Sequence, residues 1–200
     1  MDLIVVRHGL PERTDDSHDP ELSPVGRRQA EATAAFLVGE RVDHVVASPL
    51  ARARQTAEPL AAQLGFAIET VDGLAEIDPF GGAYVPAEEM EIDHHVTEAF
   101  LADKYSLFER AGGFDAFRTC VVDAFDGVIE RNRGRVVAVF CHGMVMGCYL
   151  TTLVGHDDPF VLNLDYCGIA RVRAASNGIR TPVSVNETGH LRVLTAPAPI

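Results

Sequence analysis

The stretch that most constrains this chain is Leu3-Ile4-Val5-Val6-Arg7-His8-Gly9, close to the amino terminus. Four consecutive apolar residues, among them two valines and an isoleucine, read as a short strand buried on both faces. Burying that strand carries Arg7 and His8 to its carboxyl end, which in open α/β sheets is the edge where ligands bind. Gly9 has no Cβ, which permits a sharp turn or close backbone approach to a ligand. Taken alone, the stretch is equally well a structural strand that ends in two polar residues. The rest of the chain decides between these readings.

A second strand of the same kind lies at Arg135 to Cys141, contains Val-Val-Ala-Val-Phe and again ends in a His-Gly pair, His142-Gly143. The following segment, Met144 to Val154, is apolar on nearly every face and predicts a buried helix whose amino terminus lies at His142. Earlier in the chain, the polar run from Pro11 to Glu21 is a loop, and Ser23-Pro24 opens a helix, because serine caps and proline fits the first helical position. Ala30, Ala34 and Leu37 face inward on it, and Arg27, Arg28 and Glu31 outward. A strand at Val42 to Ala47 is followed by Ser48-Pro49, which repeats the start signal, and by a helical stripe of Leu50, Ala53, Ala57, Leu60 and Leu64. Pro59 inside that run predicts a kink or an early end. Arg52 and Thr56 sit off the stripe, near the helix's amino-terminal end.

Phe66 to Val71 is a weaker strand, left by Leu74-Ala75-Glu76. From residue 77 to 113 the chain changes character, with Gly81-Gly82, Pro79, Pro86 and an acidic helical stretch, and reads as a lid inserted over one edge of the sheet. Phe114, Phe117, Val121, Phe125 and Val128 define an amphipathic helix ending near Gly134. Gly168 to Ala174 and Pro182 to Asn186 are final strands joined by a hairpin through Asn177-Gly178. This alternation predicts a three-layer α/β/α fold with a mostly parallel central sheet. Residues 1–200 form one domain, with 77–113 as its lid and 196–200 as a flexible tail.

A formal charge of -12 argues against general binding to nucleic acid or an anionic membrane, so an anionic substrate must find a local positive pocket. No apolar run approaches the roughly 20 residues needed to span a bilayer. Met1-Asp2 leads straight into the first strand without a basic or apolar leader, which predicts a cytoplasmic location. Cys120, Cys141, Cys148 and Cys167 show no metal-ligand spacing and are expected as reduced, buried thiols. His94-His95 would point to different faces of a helix, so no metal site and no cofactor are expected.

Two strand-end histidines and two arginines then stand near comparable edges: Arg7 on the first strand and Arg52 in the first turns of the helix after the second. With parallel strands, Arg7, His8, Arg52 and His142 converge at one edge of the sheet. A lone strand-end histidine is usually structural and a lone surface arginine usually solvated. Four together, beside a helix amino terminus, suit an anion such as phosphate.

Several blocks carry a family resemblance. Arg7-His8-Gly9, Leu22-Ser23-Pro24-Val25-Gly26 with Gln29-Ala30, the run from Ser48 to Ala57, Leu74-Ala75-Glu76 and Cys141-His142-Gly143 resemble, in order and spacing, the histidine phosphatase superfamily, also called phosphoglycerate mutase-like. The resemblance implies that His8 is the nucleophile, that Arg7, Arg52 and His142 bind the phosphoryl oxygens, and that Glu76 is the general acid and base. Asp78 and Glu88 lie close enough in sequence to take that last role. A neutral imidazole is an adequate nucleophile near pH 7. Fixed cations can stabilise the transferring group without a metal ion, and the poor leaving alkoxide needs a proton from a carboxylic acid held neutral.

The first expectation is therefore a metal-independent phosphomonoester hydrolase, histidine acid phosphatase-like, acting on a small molecule. The second is a phosphoglycerate mutase. Such mutases resemble RHGxTxxN after the first strand, whereas Leu10-Pro11-Glu12-Arg13 stands here, and the acidic lid should repel a second negative charge on the substrate. The third is a phosphate-binding module without turnover.

Overall fold

The computed structural model describes residues 1–14, 17, 19–77 and 104–194. Six strands form one sheet: β1 (Asp2–Arg7), β2 (His44–Ala47), β3 (Ile68–Thr70), β4 (Val136–Cys141), β5 (Ile169–Ala174) and β6 (Arg180–Glu187), in the order β3-β2-β4-β1-β5-β6. The first four are mutually parallel, and β5 and β6 are antiparallel to their neighbours. β1 lies between β4 and β5, with Arg7 opposite Cys141, so the two strands that end in His-Gly are neighbours in register. The sheet is thus mostly parallel, with an antiparallel margin supplied by the hairpin at the end of the chain.

The strand periodicity of two explains the layers. Leu3 and Val5 belong to one apolar cluster and Ile4 and Val6 to another, and all four are buried. The first cluster packs against α3 (Phe114–Arg131) and α4 (Gly143–Leu153), through Phe117, Val121, Phe125, Val145 and Cys148. The second packs against α1 (Pro24–Leu37) and α2 (Ala51–Leu64), through Ala34, Leu37, Ala57 and Leu60. An uninterrupted apolar strand is stable only when both its faces are covered in this way.

α1 starts as its sequence predicts: Ser23 is the N-cap, its hydroxyl accepts from the Gly26 N–H at 3.0 Å, and Pro24 opens the helix. α2 corrects two expectations. Ser48-Pro49 is not its cap; Leu50 holds that position without a side-chain bond, and the Ser48 hydroxyl, two residues earlier, accepts the Leu50 N–H and meets His142. Nor does Pro59 end it, since the helix runs on to Leu64 and stops at Gly65 with φ +70°. The lost backbone bond at Pro59 is outweighed by the burial of Ala57, Leu60 and Ala61 on either side of it. A third correction is Cys120, which is exposed, while Cys141, Cys148 and Cys167 are buried. It occupies the outer side of α3, two turns or less from inward Phe117 and Val121.

Of the expected lid, Ile77 and residues 104–113 are described, the latter including the 3-10 segment Lys104–Ala111. Asp78, Glu88, His94-His95 and the tail 196–200 lie outside the described residues. Among the described residues no helix is long and apolar enough to cross a membrane.

Candidate active site

The carboxyl end of β1 is held on both sides. The His8 N–H donates to the Cys141 carbonyl at 2.9 Å, and the Cys167 N–H reaches the Arg7 and His8 carbonyls at 3.1 and 3.2 Å. His8 is 2% exposed. Its Nδ1 lies 2.8 Å from the Gly9 carbonyl oxygen, and because a carbonyl can only accept, Nδ1 carries the proton and Nε2 keeps its lone pair. Arg52 Nε donates toward that lone pair at 3.3 Å, which requires the same tautomer. Burial first, then the positive Arg52 and Arg7, hold the imidazole well below its usual titration range despite the Gly9 bond. At neutral pH His8 is an uncharged base with one nitrogen available.

The two guanidinium groups that act on His8 come from different elements. Arg52, 2% exposed on the first turn of α2, is a buried charge. Arg7 donates to the Leu164 carbonyl at 2.5 Å and lies 3.8 Å over the Tyr166 ring. The same ring is 5.5 Å from His8. A Cβ on Gly143 would come within 3.2 Å of Arg7 Nε, so the glycine after His142 leaves the room that Arg7 occupies.

His142 lies beside His8, ring centroids 5.0 Å apart, and is fully buried. Its Nε2 is 2.7 Å from the Ser48 hydroxyl, which also accepts the Leu50 N–H at 3.3 Å. With the Leu50 N–H on one lone pair, the hydroxyl proton is free to go to Nε2, the arrangement that puts the imidazole proton on Nδ1. That Nδ1 is buried and has no hydrogen-bond partner among the described residues. It is a donor suited to an incoming oxygen. Burial, Arg52, His8 and Arg7 keep His142 neutral as well.

Neither α2 nor α4 has a side-chain cap of its own. Each receives a carboxylate from elsewhere in the chain, as expected where several N–H groups and a positive dipole end point the same way. On α4, Glu76 accepts the Met144 N–H at 3.1 Å, and its other oxygen accepts the Ile77 N–H at 3.1 Å. Burial raises the Glu76 carboxyl above its usual range, opposed by Met144, Arg52, Ile77 and Arg7 in that order. On α2, Asp19 accepts the Ala51 N–H at 2.8 Å and pairs with Arg52 at 3.5 Å.

Arg7, His8, Arg52, His142 and Glu76, all singled out from sequence, thus meet around one point. Sequence reasoning missed Ser48 as the partner of His142, Tyr166 as the floor under Arg7, and Asp19 as the counter-charge of Arg52. Tyr166 had one available signal: it lies three residues before β5, whose antiparallel pairing with β1 brings that end of the strand to the site. Gly9 has a packing reason besides those expected. A Cβ there would lie 2.7 Å from the Gly26 carbonyl oxygen, so it serves close packing of β1's end on the start of α1.

This arrangement can seat a tetrahedral oxyanion against two guanidinium groups and an imidazole N–H, with the unprotonated Nε2 of His8 beside it and the Glu76 carboxyl, raised above its usual range by burial, nearby. Comparison with known proteins identifies the family. The Yersinia pestis (strain Pestoides F) protein named "Probable phosphoglycerate mutase GpmB" is 27% identical over 190 residues, covering 86% of this chain and 84% of its own length. The phosphoserine phosphatase of Entamoeba histolytica, solved with 3-phosphoglyceric acid, is 25% identical with a TM-score of 0.72, covering 95% of this chain and 98% of that one. A mycobacterial glucosyl-3-phosphoglycerate phosphatase, solved with VO3, shares the fold at 20% identity and a TM-score of 0.69, over 94% of this chain and 99% of that one. The family model for the histidine phosphatase superfamily (branch 1) matches residues 3–188, and the chain belongs to that superfamily of phosphatases and mutases.

Proposed function

We propose that this protein is a phosphoric monoester hydrolase of the histidine acid phosphatase kind, working without a metal ion through a phosphohistidine on His8. The observation that carries the reading is the tautomer of His8, whose Nδ1–H is given to the Gly9 carbonyl so that Nε2 is the nucleophile. Nε2 attacks phosphorus, a P–N bond forms, and the P–O bond to the alcohol breaks. Glu76 gives its carboxyl proton to the departing oxygen. Water then attacks phosphorus, Glu76 takes its proton, and the P–N electrons return to Nε2, releasing inorganic phosphate. Arg7, Arg52 and His142 Nδ1–H hold the oxygens throughout, where fixed donors match the charge that spreads over them.

Phosphoglycerate mutase activity is the second reading, favoured by the name of the Yersinia relative. Against it stands the segment Leu10-Pro11-Glu12-Arg13 after the first glycine and an acidic stretch at 78–103, which disfavours a substrate with a second negative charge. The test is turnover of an aryl phosphate with and without a chelator. Hydrolysis that survives the chelator and disappears in His8→Ala supports the hydrolase. Interconversion of 3-phosphoglycerate with little phosphate release selects the mutase, and phosphate binding without turnover selects a binding module. Glu76→Gln should slow substrates with poor leaving groups most; an equal rate would move the acid role to another carboxyl, with Asp78 and Glu88 the candidates.

A further inference from the structure

A cavity of about 660 Å3 lies at the opposite end of the sheet from His8, and the reaction above makes no use of it. Ile129 and Glu130 of α3, Arg133 beyond its end, Arg173 and Ala174 at the end of β5, and Arg180 at the start of β6 line it. Arg173 pairs with Asp2, at the other end of β1 from Arg7, so roughly 17 Å of strand separates it from the catalytic edge. Three guanidinium groups thus face one lining carboxylate, Glu130, in a chain with 29 acidic and 17 basic residues.

These arginines are poorly satisfied. Arg180, with 18% of its side chain exposed, reaches Asp126 at 3.4 Å and the carbonyls of Ala175 and Ile179 at 3.4 and 3.5 Å. All three contacts lie near the outer limit of a hydrogen bond. Its Nε is sealed from solvent and has no acceptor among the described residues. A guanidinium carries five donors, and buried donors left without acceptors cost free energy that a ligand can recover. Arg173 is paired with Asp2 at 3.0 Å, but both side chains are at least half exposed, and such pairs exchange readily. Arg133 is exposed and has no ion pair among the described residues. Buried Ile129 and Ala174 supply an apolar wall, and the volume falls within the roughly 300–1,000 Å3 of small-molecule sites.

We propose that this cavity is a second anion site, separate from the catalytic pocket, that takes a small phosphorylated metabolite. Its phosphoryl group sits on Arg133 and Arg180, and its organic part lies against Ile129 and Ala174. A dianionic group with three or more acceptor oxygens suits this site better than a single carboxylate. It must compete with Asp126 for the Arg180 guanidinium, and it matches guanidinium groups in bidentate fashion.

The test is calorimetric titration of the full chain with pyrophosphate at low salt, repeated with citrate. Two sites are expected on the wild type. Arg133→Glu should weaken one of them by roughly tenfold or more while aryl phosphate hydrolysis stays unchanged, and Arg7→Ala should keep that site and lose the other. Because Arg133 is exposed, its replacement leaves the fold intact, which circular dichroism checks. A single site on the wild type overturns the proposal, as does a second site that persists in Arg133→Glu. Citrate binding there as tightly as pyrophosphate overturns the phosphoryl assignment.

Discussion

Replacing Ser48 by alanine tests whether His142 presents a fixed donor to the substrate. The Ser48 hydroxyl and His142 Nε2 are 2.7 Å apart and both residues are 0% exposed. Removing the hydroxyl deletes its hydrogen bonds to His142 and from the Leu50 N–H and strands Nε2, a loss of about 1–3 kcal/mol, which in a chain of 200 residues lowers Tm by roughly 5 °C. It also releases the tautomer, so the proton no longer has to reside on Nδ1. If that proton binds a phosphoryl oxygen, kcat/KM falls about ten- to hundredfold, the worth of a hydrogen bond to a charged group. Aryl phosphate hydrolysis at 25 °C and thermal melting measure the two effects separately. Leu60→Ala is the control: Leu60 is fully buried on α2, its truncation costs about 2–5 kcal/mol, and kcat/KM should hold. A Ser48→Ala enzyme that melts early yet keeps wild-type kcat/KM would refute the donor role of His142.

The pH profile of kcat/KM should be bell-shaped. His8 must be neutral and its titration is depressed, so the acid limb falls below the usual imidazole range; Glu76 must be protonated and is raised, so the alkaline limb lies above the usual carboxylate range. The same depression makes His8 and His142 acid-sensitive elements of the fold. Their contribution to stability is complete above about pH 6.5 and is lost as pH falls toward the folded-state values, which melts at pH 7 and pH 5 would register. Tyr166→Phe should keep the ring under Arg7 and leave KM within about twofold, whereas Tyr166→Ala removes a cation–π contact worth about 0.5–2 kcal/mol and raises KM more than it lowers kcat. An unchanged KM in Tyr166→Ala would remove the ring from the site. Asp19→Asn withdraws a negative charge 3.5 Å from Arg52; phosphate should then inhibit at severalfold lower concentration, at the expense of about 1 kcal/mol from the start of α2. Weaker inhibition would show that Asp19 orients Arg52 rather than competing for it.

The sequence by itself determined the parts of this protein whose causes are local. Leu3–Val6 and Val137–Phe140 have no polar face to turn outward, so they must be inner strands of a covered sheet. Residues directly after such strands must emerge at its edge, which made Arg7, His8 and His142 legible, and Ser23-Pro24 marked α1 by chemistry confined to one turn. Arg52 was legible from its place in the first turns of the helix after the second strand, and Glu76 only through the spacing of its motif. The tertiary structure decided whatever depends on two distant segments meeting. It sets the Ser48 hydroxyl against His142, 94 residues later; it brings Asp19 to the start of α2 and Glu76 to the start of α4. It places Tyr166 under Arg7 because β5 runs antiparallel beside β1. Whether Pro59 stops a helix was likewise set by core burial around it. Propensities and caps act within a turn, whereas hydrogen-bond partners and tautomers follow from which buried groups the completed core leaves face to face.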